Sequence, residues 1–318
     1  MNVIEKRIAE LKQYVPDLTT PKDMNLFWDK TLKEVHAKPV RAFKTPVETP
    51  YPHMMAYRVT FEGIDDTPLH AWYVRPRFSG DQKLPCIVLF HGYTGGKGHP
   101  EDYSSWLMLG FAVLAVDVRG QGGETGDRRN DPHGTVKGWV TKGILDKDTC
   151  YYKTITTDAL RAVDWAAEQA DVDSAKIAIS GASQGGGLAL MVAALSDKVA
   201  TTVADIPNMC HMDFGMMNST SSLTEAAEFA NRFPEHLEQV LHTLSYFDVM
   251  NLAHRIGIPV MVSVGLKDTV CMPETIFAAY NRIESPKTIE IYPFTGHWVE
   301  GFHRRKTAEF LVQTLALH

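Results

Sequence analysis

Three side chains in this sequence have the types, and the order along the chain, that nucleophilic acyl transfer requires: Ser183, Asp268 and His297. A serine hydroxyl is a poor nucleophile at neutral pH; it needs an adjacent base, and the base needs an acid to orient it. Ser183 is the centre of Gly181-Ala182-Ser183-Gln184-Gly185, a G-x-S-x-G string. Such strings arise by chance, and the bland alternative is a glycine-rich turn with an ordinary N-capping serine. The surroundings argue for more. Residues 176–180 alternate and carry β-branched side chains, which predicts a buried strand, and residues 188–195 predict a buried helix. Strand, sharp turn and helix make the setting of a nucleophile elbow, where a Cβ two residues either side of the serine would crowd the turn.

In hydrolases built on this elbow an Asp or Glu, and then a His, follow the serine. Asp268 ends Gly265-Leu266-Lys267-Asp268, directly after a predicted strand at 259–265, and His297 ends a loop directly after the last predicted strand, 288–292. Each has an ordinary reading when taken alone. Asp268 could cap the helix expected from Pro273, and a lone His in a glycine-containing loop is usually just solvated. In this order, each at a strand end, the two complete a triad with Ser183. The competing acid and base are Asp205, too early for the usual order, and His91, which precedes the nucleophile.

His91-Gly92-Tyr93 follows a predicted strand at 85–90, the place from which an oxyanion-hole amide is usually supplied. The backbone N–H groups of Tyr93 and of Gln184, the residue after the nucleophile, are therefore the expected oxyanion donors. Arg119-Gly120-Gln121 follows another core strand, 111–117. Arg119 and Gln121 are expected to fix loops around the site with their long donors, with Gly120 serving the turn between them.

The elements that must position these residues follow from periodicity. Thr20-Pro21-Lys22-Asp23 predicts a helix start with Thr20 as the cap, and Leu26, Phe27, Leu32 and Val35 supply one apolar face. Residues 38–52, with several prolines, predict an extended connection. Strands at 57–61 and 69–74 form a hairpin, after which apolar strands alternate with helices expected at 101–109, 154–169, 273–283 and 303–317. With a further strand at 200–205 the count is about eight, in the order of a mostly parallel α/β-hydrolase sheet flanked by helices. The expectation is one domain over 1–318, with an N-terminal helical extension at 1–50 and a cap-like insertion at 207–255. That insertion is far longer than a single-helix crossover needs; its methionines, Met209, Met212, Met216 and Met217, read as adaptable packing.

Composition narrows the class further. A chain of 318 residues with 44% hydrophobic residues can bury a large core, and a net charge of −6, without long runs of one sign, gives no electrostatic reason to expect nucleic acid or an anionic membrane. No apolar h-region opens the sequence and no stretch approaches the roughly 20 apolar residues of a membrane span. Cys86, Cys150, Cys210 and Cys271 lack metal-type spacing, the histidines are scattered, and no metal or cofactor is expected.

The sequence resembles carbohydrate esterase family seven, the cephalosporin-C deacetylases and acetyl xylan esterases. The resemblance is carried by Arg119-Gly120-Gln121, Gly181 to Gly185, and the positions of Asp268 and His297, with longer similar stretches at 138–148 and 244–252. It implies an intracellular, cytoplasmic serine esterase acting on small acetylated substrates, xylo-oligosaccharides and cephalosporin C. It also implies a homo-oligomer, a toroidal hexamer whose active sites face an internal channel. The family's last motif pairs the catalytic His with a following Glu; here His297 is followed by Trp298, and Glu300 comes two places later. Other expectations on the same fold are a peptidase or a lactone hydrolase. A different class, a non-catalytic ligand-binding scaffold, would predict loss of a triad member, and none is lost.

Overall fold

Strands that read as unbroken apolar runs must be buried on both faces, and in the computed structural model, which describes residues 1–130 and 137–317, they form the middle of one nine-stranded sheet. The strands are β1 (Ala42–Val47), β2 (Met54–Glu62), β3 (Pro68–Pro76), β4 (Leu84–Phe90), β5 (Ala112–Val116), β6 (Val172–Ala182), β7 (Thr201–Asp205), β8 (Val260–Gly265) and β9 (Lys287–Tyr292). Their order across the sheet is β1-β2-β3-β5-β4-β6-β7-β8-β9. The pairs β1/β2, β2/β3 and β3/β5 are antiparallel; every pair from β5 to β9 is parallel. This is the α/β-hydrolase architecture.

The helices are α1 (Val3–Lys12), α2 (Met24–Ala37), α3 (Ser104–Met108), α4 (Tyr151–Ala167), α5 (Gln184–Leu195), α6 (Met212–Asn218), α7 (Leu223–Arg232), α8 (Leu237–Ser245), α9 (Val249–Leu252), α10 (Pro273–Tyr280) and α11 (His303–Thr314). The larger core, on the α4 and α5 side of the sheet, also receives α1 and α2, and a smaller one lies under α3 and α11. Every residue of α5 is buried, as expected for a helix that is apolar all round.

Three expectations need correction. The ninth strand, β1, lies in the segment read as an extended connection; it is an edge strand, nearly all exposed, so it lacks apolar alternation, and an edge tolerates Pro46. Helix α2 does not start at Thr20: Asp23 occupies the cap without a side-chain capping bond, while the Thr20 hydroxyl donates to Asn251 Oδ1 at 3.0 Å. Its buried face is Met24, Phe27, Trp28, Thr31 and Val35, whereas Leu26 is exposed. Trp28 is the anchor, its Nε1–H donating to the Tyr246 carbonyl at 3.0 Å while Phe27 packs edge-on against Tyr246 and Phe247. The N-terminal extension is thus seated on the far end of the 207–255 segment, which consists of α6 to α9 with short 3-10 turns.

Candidate active site

The elbow follows β6, in the middle of the parallel region, and its geometry is set by close backbone approach. Ser183 has φ 56° and ψ −119°, a conformation that costs strain in any non-glycine residue. A Cβ on Gly185 would stand 2.0 Å from the Phe90 carbonyl oxygen, and one on Gly181 would stand 2.4 Å from the Gly185 carbonyl carbon. Hydrogen bonds hold the turn: the Ser183 amide donates to the Asp205 carbonyl at 2.9 Å, and the Ser183 carbonyl accepts from Gly187 N at 3.0 Å and Asn208 N at 2.9 Å. Although Ser183 occupies the N-cap position of α5, its side chain makes no capping bond.

That hydroxyl faces an imidazole instead. Ser183 Oγ lies 3.0 Å from His297 Nε2, and His297 Nδ1 lies 2.8 Å from Asp268 Oδ2. Asp268 does not cap α10, whose cap is Met272. Its other oxygen, Oδ1, accepts from Val270 N at 2.8 Å and Cys271 N at 3.0 Å, which fixes the carboxylate's rotation and leaves Oδ2 for the imidazole. The three residues come from the carboxyl ends of β6, β8 and β9, neighbouring strands apart from β7, so the parallel register alone brings them to one edge. The arrangement can move a proton from a hydroxyl to an imidazole held in one tautomer.

The loop after β4 packs beside the elbow, a Cβ on Gly92 falling 3.7 Å from Ser183 Cβ. Among the described residues the amides of Tyr93 and Gln184 have no protein acceptor, and Gln184 opens α5, whose N-terminus carries partial positive charge. Gln121 ties both pieces together. Its Oε1 accepts from Thr94 N at 2.9 Å, and its Nε2 donates to Gln184 Oε1 at 2.8 Å and to Tyr151 Oη at 2.8 Å.

Arg119 is fully buried. It donates to Asp158 Oδ2 and Oδ1 at 2.5 and 2.7 Å and to Asp65 Oδ2 and Oδ1 at 2.7 and 3.0 Å. Burial pushes the Asp158 carboxyl up from its ordinary range, against the pull of the guanidinium. Arg119 makes these bonds away from Ser183, within the scaffold.

The two competing candidates have other tasks. His91 Nε2 accepts from Val118 N at 2.8 Å while Nδ1–H donates to the Gly92 carbonyl at 2.8 Å; desolvation lowers its pKa, keeping this neutral tautomer. Asp205 Oδ1 accepts from the Ser263 hydroxyl at 2.8 Å and pairs with His303 Nε2 at 2.6 Å.

Two residues near the site carried no sequence signal. Cys271 Sγ is 4.0 Å from Ser183 Oγ, and burial, with the Asp268 carboxylate nearby, raises its thiol well above the usual range, so it is an unreactive wall. Glu225, from α7, accepts from Tyr93 Oη at 2.8 Å through both oxygens and from Val140 N at 3.2 Å, and desolvation raises its pKa. Tyr93 Oη in turn accepts from Trp139 N at 2.8 Å. The 207–255 segment therefore braces the loop after β4 through one buried carboxylate. Among the described residues no cluster of three or more His, Cys, Asp or Glu could hold a metal, and no helix is long and apolar enough to cross a membrane.

Comparison with known proteins gives the chain its family. The family model for acetyl xylan esterase (AXE1) matches residues 1–314. The chain is similar to acetyl esterase Axe7A of Xylanibacter ruminicola, 28% identical over 89% of this chain; the match spans 65% of that longer protein. Among solved structures it resembles an acetyl xylan esterase from Paenibacillus sp. R4, with a TM-score of 0.93 and 38% identity over 98% of this chain and 99% of that one. It also resembles acetyl xylan esterase 1 from Thermoanaerobacterium sp. JW/SL YS485, with a TM-score of 0.91 and 30% identity over 99% of each chain.

Proposed function

The chain belongs to the acetyl xylan esterase family, and from that premise we propose that it is a serine acetyl esterase that works through Ser183, His297 and Asp268. Ser183 Oγ attacks the acetyl carbonyl carbon as its proton passes to His297 Nε2. The carbonyl oxygen becomes an oxyanion held by the amides of Tyr93 and Gln184, charge that develops only in the transition state. Collapse breaks the ester C–O bond, the imidazolium proton goes to the departing sugar oxygen, and an acetyl-serine remains. Water, deprotonated by the same imidazole, then releases acetate and restores the Ser183 hydroxyl.

The observation that carries this reading is the unbroken contact from Ser183 Oγ to His297 Nε2 to the doubly anchored Asp268. The substrates it favours are small acetate esters, acetylated xylo-oligosaccharides among them and cephalosporin C as a second candidate. By family resemblance the working form is a cytoplasmic homohexamer, which light scattering on the purified protein checks for mass.

The direct test is hydrolysis of p-nitrophenyl acetate with Ser183→Ala alongside. Loss of a serine nucleophile should lower kcat by at least about a thousandfold, and full activity in that variant would end the proposal. Comparing acetate with octanoate esters tests the narrow acyl site; equal rates would contradict it.

A further inference from the structure

Trp298 follows the imidazole directly and is 53% exposed. It is nevertheless held in place. Its Nε1–H donates to Glu300 Oε1 at 2.9 Å, and the same oxygen accepts from the Thr295 hydroxyl at 3.3 Å. The ring folds over Gly296, where a Cβ would meet Trp298 Cζ3 at 2.6 Å, and the Trp298 amide closes on the Gly296 carbonyl at 3.0 Å. Fixing a side chain costs rotamer entropy, and leaving its apolar face in water forgoes the gain of burial. Both costs are offset when a ligand with a flat apolar face covers the ring.

The place of this ring limits what that ligand is. The ring covers Gly296, the residue before His297, so the indole belongs to the loop that presents the base. The His297 side chain is 27% exposed, so the base is reached from solvent. Phe294 and Phe302, 70% and 63% exposed, lie on the same loop between β9 and α11.

We propose that Trp298 is a stacking platform for the pyranose ring that bears the acetyl group, a sugar subsite beside the catalytic base; this rests on the acetyl esterase reading above. A pyranose with equatorial substituents turns axial C–H bonds, slightly positive, toward each face, and these meet the negative face of the indole. Its hydroxyls stay at the rim, in water or near Glu300. Xylopyranose has no exocyclic CH2OH, so both of its faces can approach the ring.

The test compares kcat/KM on an acetylated methyl xyloside with kcat/KM on methyl acetate, which has no ring; a nitrophenyl ester would itself stack and blur the comparison. For Trp298→Ala the ratio of the two should fall about three- to tenfold, the range of a single aromatic contact, through a higher KM on the xyloside. Trp298→Phe, which keeps a flat ring, should recover most of the ratio. A ratio within twofold of wild type in Trp298→Ala, or no recovery in Trp298→Phe, overturns the platform. A change in particle mass for Trp298→Ala by light scattering also overturns it, making the aromatic patch a subunit contact. If wild type hydrolyses neither ester, the esterase reading itself has failed; hydrolysis of methyl acetate with an unaltered ratio fails the platform alone.

Discussion

Replacing Asp268 by Asn reverses a hydrogen bond without changing the shape of the side chain. Oδ1 of Asp268 accepts two amides, Val270 N at 2.8 Å and Cys271 N at 3.0 Å, so the Asn carbonyl oxygen must take that position. Its NH2 group then points at His297 Nδ1, where Oδ2 now stands at 2.8 Å. An NH2 donor forces Nδ1 to accept, which moves the imidazole proton to Nε2, the atom facing Ser183 Oγ at 3.0 Å. A protonated Nε2 cannot take the serine proton. The expected loss in kcat is about 10³- to 10⁴-fold, or about 4–5.5 kcal/mol of transition-state stabilisation. Asp268→Ala leaves the imidazole free to choose its tautomer and should keep more activity than the Asn variant, although it melts lower because the two amides lose their acceptor. The assay is kcat on methyl acetate for both variants, with histidine ¹⁵N chemical shifts reporting the tautomer and melting temperature reporting the fold. A folded Asp268→Asn enzyme with more than about a tenth of wild-type kcat would refute the orienting role.

Arg119→Met leaves Asp158 buried without its cation and should cost about 3–5 kcal/mol of unfolding free energy; denaturant melts reading under about 1 kcal/mol would show that the pair is not a scaffold element. Gln121→Ala strips the Thr94 amide and the Gln184 side chain of their shared partner, and a loosened oxyanion loop should lower kcat by about ten- to a hundredfold with little change in KM. An unaltered kcat would remove Gln121 from that role. His91 adds a pH dependence with a definite sign. Its folded-state pKa is below the ordinary 6.5 because of burial, so its contribution to stability is present above that pH and is lost as pH falls through the folded value. Melting temperature should decline below about pH 6.5, and His91→Gln should flatten part of the decline; an unchanged slope would place its origin elsewhere.

Much of the candidate site was legible because each of its residues follows its strand directly, and strands buried on both faces are written as apolar runs. The elbow, Asp268, His297, the loop after β4 and the Arg119-Gly120-Gln121 turn are all assigned to strand ends by hydrophobic period alone. What could not be read has a common physical character. β1 is an exposed edge without alternation, and the start of α2 is decided by Thr20 bonding Asn251, a partner more than 200 residues away. Cys271 and Glu225 reach the site only through packing, since neither a cysteine in a loop nor a glutamate on a helix announces its neighbours.

The sequence by itself determined which residue types stand at the strand ends, because a serine, an acid and a base in that order are local statements about residue type and hydrophobic period. The tertiary structure alone decided which hydrogen-bond partners give those residues their states. It removed Ser183 from its capping duty, rotated Asp268 against two amides, and turned His91 and Asp205 to other partners. It also braced Tyr93 with Glu225 across 132 positions of sequence. Such contacts arise when side chains distant in the chain compete for the same donors, and that competition is settled only once the chain has packed.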